Sequence, residues 1–262
     1  MIARFNLYDF LADLIPGLVF LWCINLMMTL LGWSLPFNFA GGLANASVMI
    51  ALGYVIGLML QAVSEQYIEN TLLLRVWDGF PSARWLLPED TRFSKTYKSR
   101  LLALMAERFR ISTEPEIPGA ASPEQARALR LKKNQELFYL CYPFVDSFNP
   151  RPQVFNALYG LFRSLLGLFG ILCAFSAVGI VVTLICGLDY PAGVFLLLAG
   201  ISGICSWLSY ARCKNRSEDF ARSVYDLFII SAVGKPISQL ATSSSGSTAV
   251  NRLRLKPPSV NA

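Results

Sequence analysis

The sequence predicts an all-α fold: a four-span transmembrane helical protein of two hairpins with a helical cytosolic insert between them. Three observations carry that expectation. Four apolar runs, at about residues 11–31, 46–63, 164–186 and 192–210, reach the length of a bilayer crossing. A charged stretch, residues 64–153, separates the second run from the third. The two connections inside the hairpins, residues 32–45 and 188–191, contain no lysine or arginine.

Composition agrees with the runs. Apolar residues make up 54% of the 262 and charged residues 15%, against roughly 25% charged in a soluble globular domain. There is no histidine, which removes the commonest general base, the Ser-His and Cys-His nucleophile pairs and the commonest zinc ligand. The six cysteines, Cys23, Cys141, Cys173, Cys186, Cys205 and Cys213, form no CxxC pair, and four lie in apolar blocks. They read as small buried thiols rather than a disulfide framework. A formal charge of +6 points first to anionic headgroups and the positive-inside bias, ahead of nucleic acid.

In chain order, residues 11–31 are apolar apart from Asp13, Asn25 and Thr29 and would extend ~31 Å as a helix. The run is too long for a signal-peptide core, and Ala44-Asn45-Ala46 stands well beyond its end, so it reads as an uncleaved anchor. The second run carries Gly53 and Gly57, a GxxxG spacing that lets another helix backbone approach. Packing within the chain is expected ahead of self-association. The row Gln61, Glu65 and Glu69 continues the same face into water as an acidic stripe.

Within the insert, Asp78-Gly79-Phe80-Pro81 breaks the helix, a basic helix is expected over 92–111, and 113–123 is a loop. Ser122-Pro123-Glu124 then opens another helix, with serine as N-cap and proline at the first helical position. Its basic residues Arg127, Arg130, Lys132 and Lys133 are read as facing lipid headgroups, or equally as a solvated face of a helix packed on its neighbours. The third run is entered past Arg163, and Gly160, Gly167 and Ala174 recur along it as a packing seam. The fourth is followed at once by Arg212, Lys214 and Arg216. The expected division is a hairpin at 1–63, a cytosolic insert at 64–153, a hairpin at 154–211, a post-span helix at 212–237 docking on the insert, and a disordered basic tail at 238–262.

Charge placement puts both termini and the insert on the cytoplasmic side of the cell inner (plasma) membrane. Asp13 is the ionisable residue most clearly set in an apolar run. It is expected to form an intramembrane ion pair with Arg163, which enters the third span from the same side, and this is favoured over a proton pathway. No Walker loop, dinucleotide glycine pattern, GxSxG elbow, HExxH or spaced metal cluster occurs. No catalytic, cofactor or metal residue is therefore assigned.

Tyr8-Asp9-Phe10-Leu11-Ala12-Asp13-Leu14-Ile15-Pro16-Gly17 resembles the opening of some uncharacterised bacterial small inner-membrane proteins, and Arg216 to Tyr225 is similar to their basic helix after the last span. The resemblance implies a membrane component of the kind found in anti-phage and stress systems and transfers no catalytic residues. The expected function is non-enzymatic: a membrane-anchored sensor, scaffold or effector acting through its cytosolic module. An oligomeric channel or membrane-permeabilising effector is the alternative, and a lipid-acting enzyme comes third. The expected partners are a bilayer with anionic headgroups, a cytosolic protein and further copies of the chain in a homo-oligomer.

Overall fold

Four helical stretches are long and apolar enough to cross a membrane: Phe10–Thr29, Asn45–Arg84, Arg151–Ile185 and Ala192–Val233. In the computed structural model the described residues are 9–30, 43–112, 122–185 and 189–234, and no strand occurs among them. The expected 32–45 turn falls largely outside them, as do most of the 113–123 loop, part of the 188–191 turn and the 238–262 tail.

Helix α1 (Ile15–Leu30) continues from a π-helical segment, Asp9–Leu14, and α2 covers Leu43–Val63. The two cross where their small residues meet. A Cβ added to Gly17 would lie 1.7 Å from the carbonyl oxygen of Gly53, and one added to Gly57 would lie 1.8 Å from that of Asp13. Backbone therefore rests on backbone, and any side chain there would prop the helices apart.

Helix α2 does not end at the apolar boundary. It runs on through a second π-helical segment, Ser64–Leu73, into the short α3 (Leu74–Trp77). The stop is a C-terminal cap: Asp78 (φ 56°) and Gly79 (φ 101°) turn left-handed, and Gly79 N–H donates back to the Leu74 carbonyl at 3.0 Å. Helix α4 (Pro81–Arg84) follows with proline in its first turn.

Helix α5 (Lys95–Phe109) is capped by Ser94, whose Oγ accepts from Tyr97 N–H at 3.1 Å. Helix α6 (Pro123–Asp146) is capped by Ser122, which accepts from Gln125 N–H at 3.2 Å, as its sequence indicates. Helix α7 spans Arg151–Ile185. Helix α8, Asp189–Gly234, is a single 46-residue rod, ~69 Å long. The fourth apolar run and the post-span helix form one continuous helix, and no glycine or proline interrupts residues 204–233.

Helices α7 and α8 form the most extensive pair in the molecule. Phe195 of α8 is buried against Gly179 of α7, where an added Cβ would meet its ring at 2.8 Å. Beyond the apolar region the far half of α8 enters a second environment, a helical head. Its Phe220, Val224, Tyr225 and Phe228 join Trp85, Phe93, Leu101, Met105, Phe138, Cys141 and Val145 in one buried core. Rings meet edge to face: Phe138 lies 5.4 Å from Phe220 and 5.6 Å from Tyr225. Each such pair is worth about 0.5–1.5 kcal/mol beyond the area it buries.

Polar groups lock the head. Tyr225 Oη donates to the Ser82 carbonyl at 2.5 Å, and Asn134 Nδ2 donates to that of Ala83 at 2.9 Å. Lys98, buried, donates through Nζ to the carbonyls of Leu87 and Asp90, both at 2.5 Å. Tyr97 Oη donates to Asp226 Oδ1 at 2.6 Å, tying α5 to α8. Burial, and second the bond to Asp226, push the Tyr97 phenol well above its usual range.

Two predictions follow from this packing. Gly57→Ala should lower the melting temperature in detergent by the equivalent of about 3 kcal/mol, the upper end for overpacking. Gly170→Ala, which meets nothing within 4 Å, should leave it unchanged. Because the raised phenol pKa favours neutral Tyr97 in the fold, its stabilisation is complete below about pH 10, the ordinary phenol value, and is lost as pH rises further. Stability should therefore fall more steeply above that pH in the native protein than in Tyr97→Phe, as read by denaturant titration.

Candidate functional site

Where the apolar helices pass into the head, charge is brought into a nearly dry junction. The π-helical segments are its local cause. In a π turn the hydrogen bonds run from i to i+5, so side chains leave the regular α-helical rows. The first such segment carries Asp13, the second carries Glu65 and Glu69, and both pack on α7. Glu65 stays exposed, whereas Glu69 is turned inward.

Arg163 of α7 sits in this junction with its side chain 7% exposed, and its Nη1 is closely paired with Glu69 Oε2. The guanidinium also lies over the Tyr159 ring, 5.6 Å from the centroid. Tyr159 is buried with Trp77, Leu166 and Cys213, and the edge of Phe80 meets it at 5.5 Å. Trp77 Nε1 donates to Tyr210 Oη at 3.2 Å, so α3, α7 and α8 are joined around the pair. The carboxylate that closes on Arg163 Nη1 is Glu69, a contact that the expectation of an Asp13–Arg163 pair did not include. Asp13 is itself buried, its backbone seated on Gly57 in the α1–α2 crossing.

The other residues singled out from sequence fall into three settings. Gly53 and Gly57 face α1, and Gly167 faces the extension of α2, where an added Cβ would meet Ser64 Oγ at 2.4 Å. Ala174, the next member of that α7 row, is exposed. Arg127 donates from Nη1 to Asp78 Oδ1 at 2.6 Å and from Nε to Glu89 Oε1 at 3.3 Å, so it fastens α6 to the cap that ends α3. Arg130 and Lys133 are half-buried, and Lys132 is exposed.

Lys132 borders an open groove of about 540 Å³ between α6 and the α2 extension, together with Glu69, Arg75, Asp78 and Tyr139. Among the described residues no group of three or more Cys, Asp or Glu side chains is placed to hold a metal ion. What the arrangement does chemically is hold opposite charges in register at the root of the head. Glu69 escaped the sequence reading because a solvated α-helical stripe was assumed; the signal that would have found it is an acidic residue lying 94 positions from an isolated arginine at the edge of another apolar run.

Removing one member of a buried pair leaves the other charge without compensation, at about 3–5 kcal/mol, whereas replacing both with apolar residues of similar size is often neutral. Arg163→Met should therefore lower thermal stability in detergent sharply, and Arg163→Met with Glu69→Leu should recover most of the loss. Equal melting temperatures for the single and double variants would show the pair to be idle.

No family model matches the chain, and neither a curated protein nor a solved structure matches it.

Proposed function

We propose that the chain is a multi-pass protein of the cell inner (plasma) membrane, with two transmembrane hairpins and with both termini and the head in the cytoplasm. In this reading it acts without catalysis as a membrane-anchored sensor, scaffold or effector, in a setting such as bacterial defence, and its head binds a cytosolic protein. The observation that supports this most directly is the continuity of α8. One rod contributes its first half to the apolar helix pair with α7 and its second half to the core of the head. A tilt or rotation of the apolar pair is thereby passed to the head without a flexible joint, which is what a membrane-coupled sensor or scaffold needs.

Charge placement supports the orientation. Arg212, Lys214 and Arg216 follow the fourth apolar run, and residues 32–45 and 188–191 hold no basic residue. The exposed Lys132 and the exposed ring of Tyr139 on α6 then face the anionic inner leaflet at the root of the head.

The test is site-specific labelling in a cysteine-free background. Glu107→Cys, exposed on α5, should react with a membrane-impermeant maleimide only after cells are permeabilised, whereas Asn45→Cys should react in intact cells. The reverse pattern would overturn the orientation. A photo-crosslinking residue placed at Lys95 or Glu107 should form adducts with a cytosolic protein. Adducts found only from apolar positions such as Val178 would overturn the scaffold reading.

A further inference from the structure

The head carries a cavity of about 330 Å³ along α8, and four arginines border it: Arg92, Arg212, Arg216 and Arg222. Two of the four are already matched by carboxylates within the same wall. Arg92 Nη1 donates to Glu218 Oε2 at 2.9 Å, and Arg216 Nη1 donates to Asp219 Oδ2 at 2.9 Å. Arg212 and Arg222 are exposed, and no carboxylate among the described residues lies within ion-pair distance of either. The cavity is thus left with two uncompensated positive charges.

Its inner wall is aromatic. Trp85 and Phe93 belong to the head core and line the cavity, and Arg92 lies over the Trp85 ring, 5.9 Å from the centroid. That stacking and the Glu218 contact hold one guanidinium in place before any ligand arrives. The Trp85 indole N–H is buried without a hydrogen-bond partner among the described residues.

We propose that this cavity is a binding site for a compact dianionic phosphate group, held by Arg212, Arg216 and Arg222. Guanidinium offers paired N–H donors that match phosphate oxygens two at a time. A phosphomonoester carries between one and two negative charges near neutrality, enough to balance the two unmatched arginines, which a single carboxylate is not. The volume lies at the small end of ligand pockets and leaves room for the group that bears the phosphate.

The ligand has two possible sources with the same chemistry. Arg212 stands two residues past Tyr210, at the end of the fourth apolar run, so a phosphorylated lipid headgroup meets it first. Arg222 lies ten residues further along α8, ~15 Å along the axis, which is beyond one headgroup layer and is open to a soluble phosphate ester. The inference deepens the sensor reading and rests on it only for calling the ligand a signal. Binding is measured on purified protein, so it stands or falls separately from the orientation.

The full chain in phosphatidylcholine nanodiscs should be melted with increasing inorganic pyrophosphate. A second arm replaces part of the phosphatidylcholine with phosphatidic acid. At least one arm should raise the melting temperature by several degrees, with saturation. That rise should vanish in Arg212→Gln/Arg222→Gln, and in the pyrophosphate arm also in Arg222→Gln alone, and persist in Lys95→Gln/Arg100→Gln, which removes the same charge from exposed positions outside the cavity. The arm that responds identifies the source. No rise in either arm, a rise that the cavity variants keep, or a loss shared equally by the control pair would each overturn the proposal.

Discussion

A helix that passes unbroken from an apolar region into a polar one has to satisfy two environments along one rigid axis, and α8 places that demand on everything around it. Its first half meets α7 through close contacts such as Phe195 on Gly179. Its second half gives Phe220, Ala221, Val224, Tyr225 and Phe228 to the core of the head. Helices α5 and α6 bury their apolar residues against that rod, with Trp85, Leu86 and Phe93 completing the same core. The orientation of the head relative to the apolar helices is consequently set by the direction of α8 rather than by a linker.

The junction between the two regions is where charge is most expensive. Arg163 and Glu69 are held there by helices that also pack through Tyr159, Trp77 and Cys213. A pair of this kind adds little net stability, because desolvation of both ions offsets their attraction. It does penalise every alternative register that would separate them. Together with the glycine crossing of α1 on α2, it defines how the α2 extension sits against α7. In an apolar solvent the hydrophobic effect does not choose between helix pairings, so close backbone approach and polar contacts carry the choice.

On the head, arginines are used in two different ways. Arg127 and Arg84 are structural, bonded to Asp78 and Glu89 and to the Trp77 carbonyl respectively. Those around the α8 cavity exceed their carboxylates. A positive total along the sequence cannot distinguish these uses, because it counts charge without its partners. The basic residues on α6 show the point: Arg127, read from sequence either as a headgroup contact or equally as part of a solvated face, bonds to Asp78 and Glu89 beside the α3 cap.

Local signals were legible in the sequence. Four apolar runs, the Ser122-Pro123 helix start, the Asp78-Gly79 stop and the small residues of α2 all act within a few positions, through hydrogen bonds and sterics that a short stretch contains in full. The sequence by itself therefore determined an all-helical chain with four helices apolar enough to span a membrane, and where several of them begin and end. Tertiary structure alone decided that Glu69 meets Arg163 and that Arg92 shares a cavity with arginines more than a hundred positions away. Those outcomes depend on crossing register and on π-helical winding, which turns Glu69 inward while leaving Glu65 in water. Neither is encoded in any one stretch, since each is a property of two helices in contact.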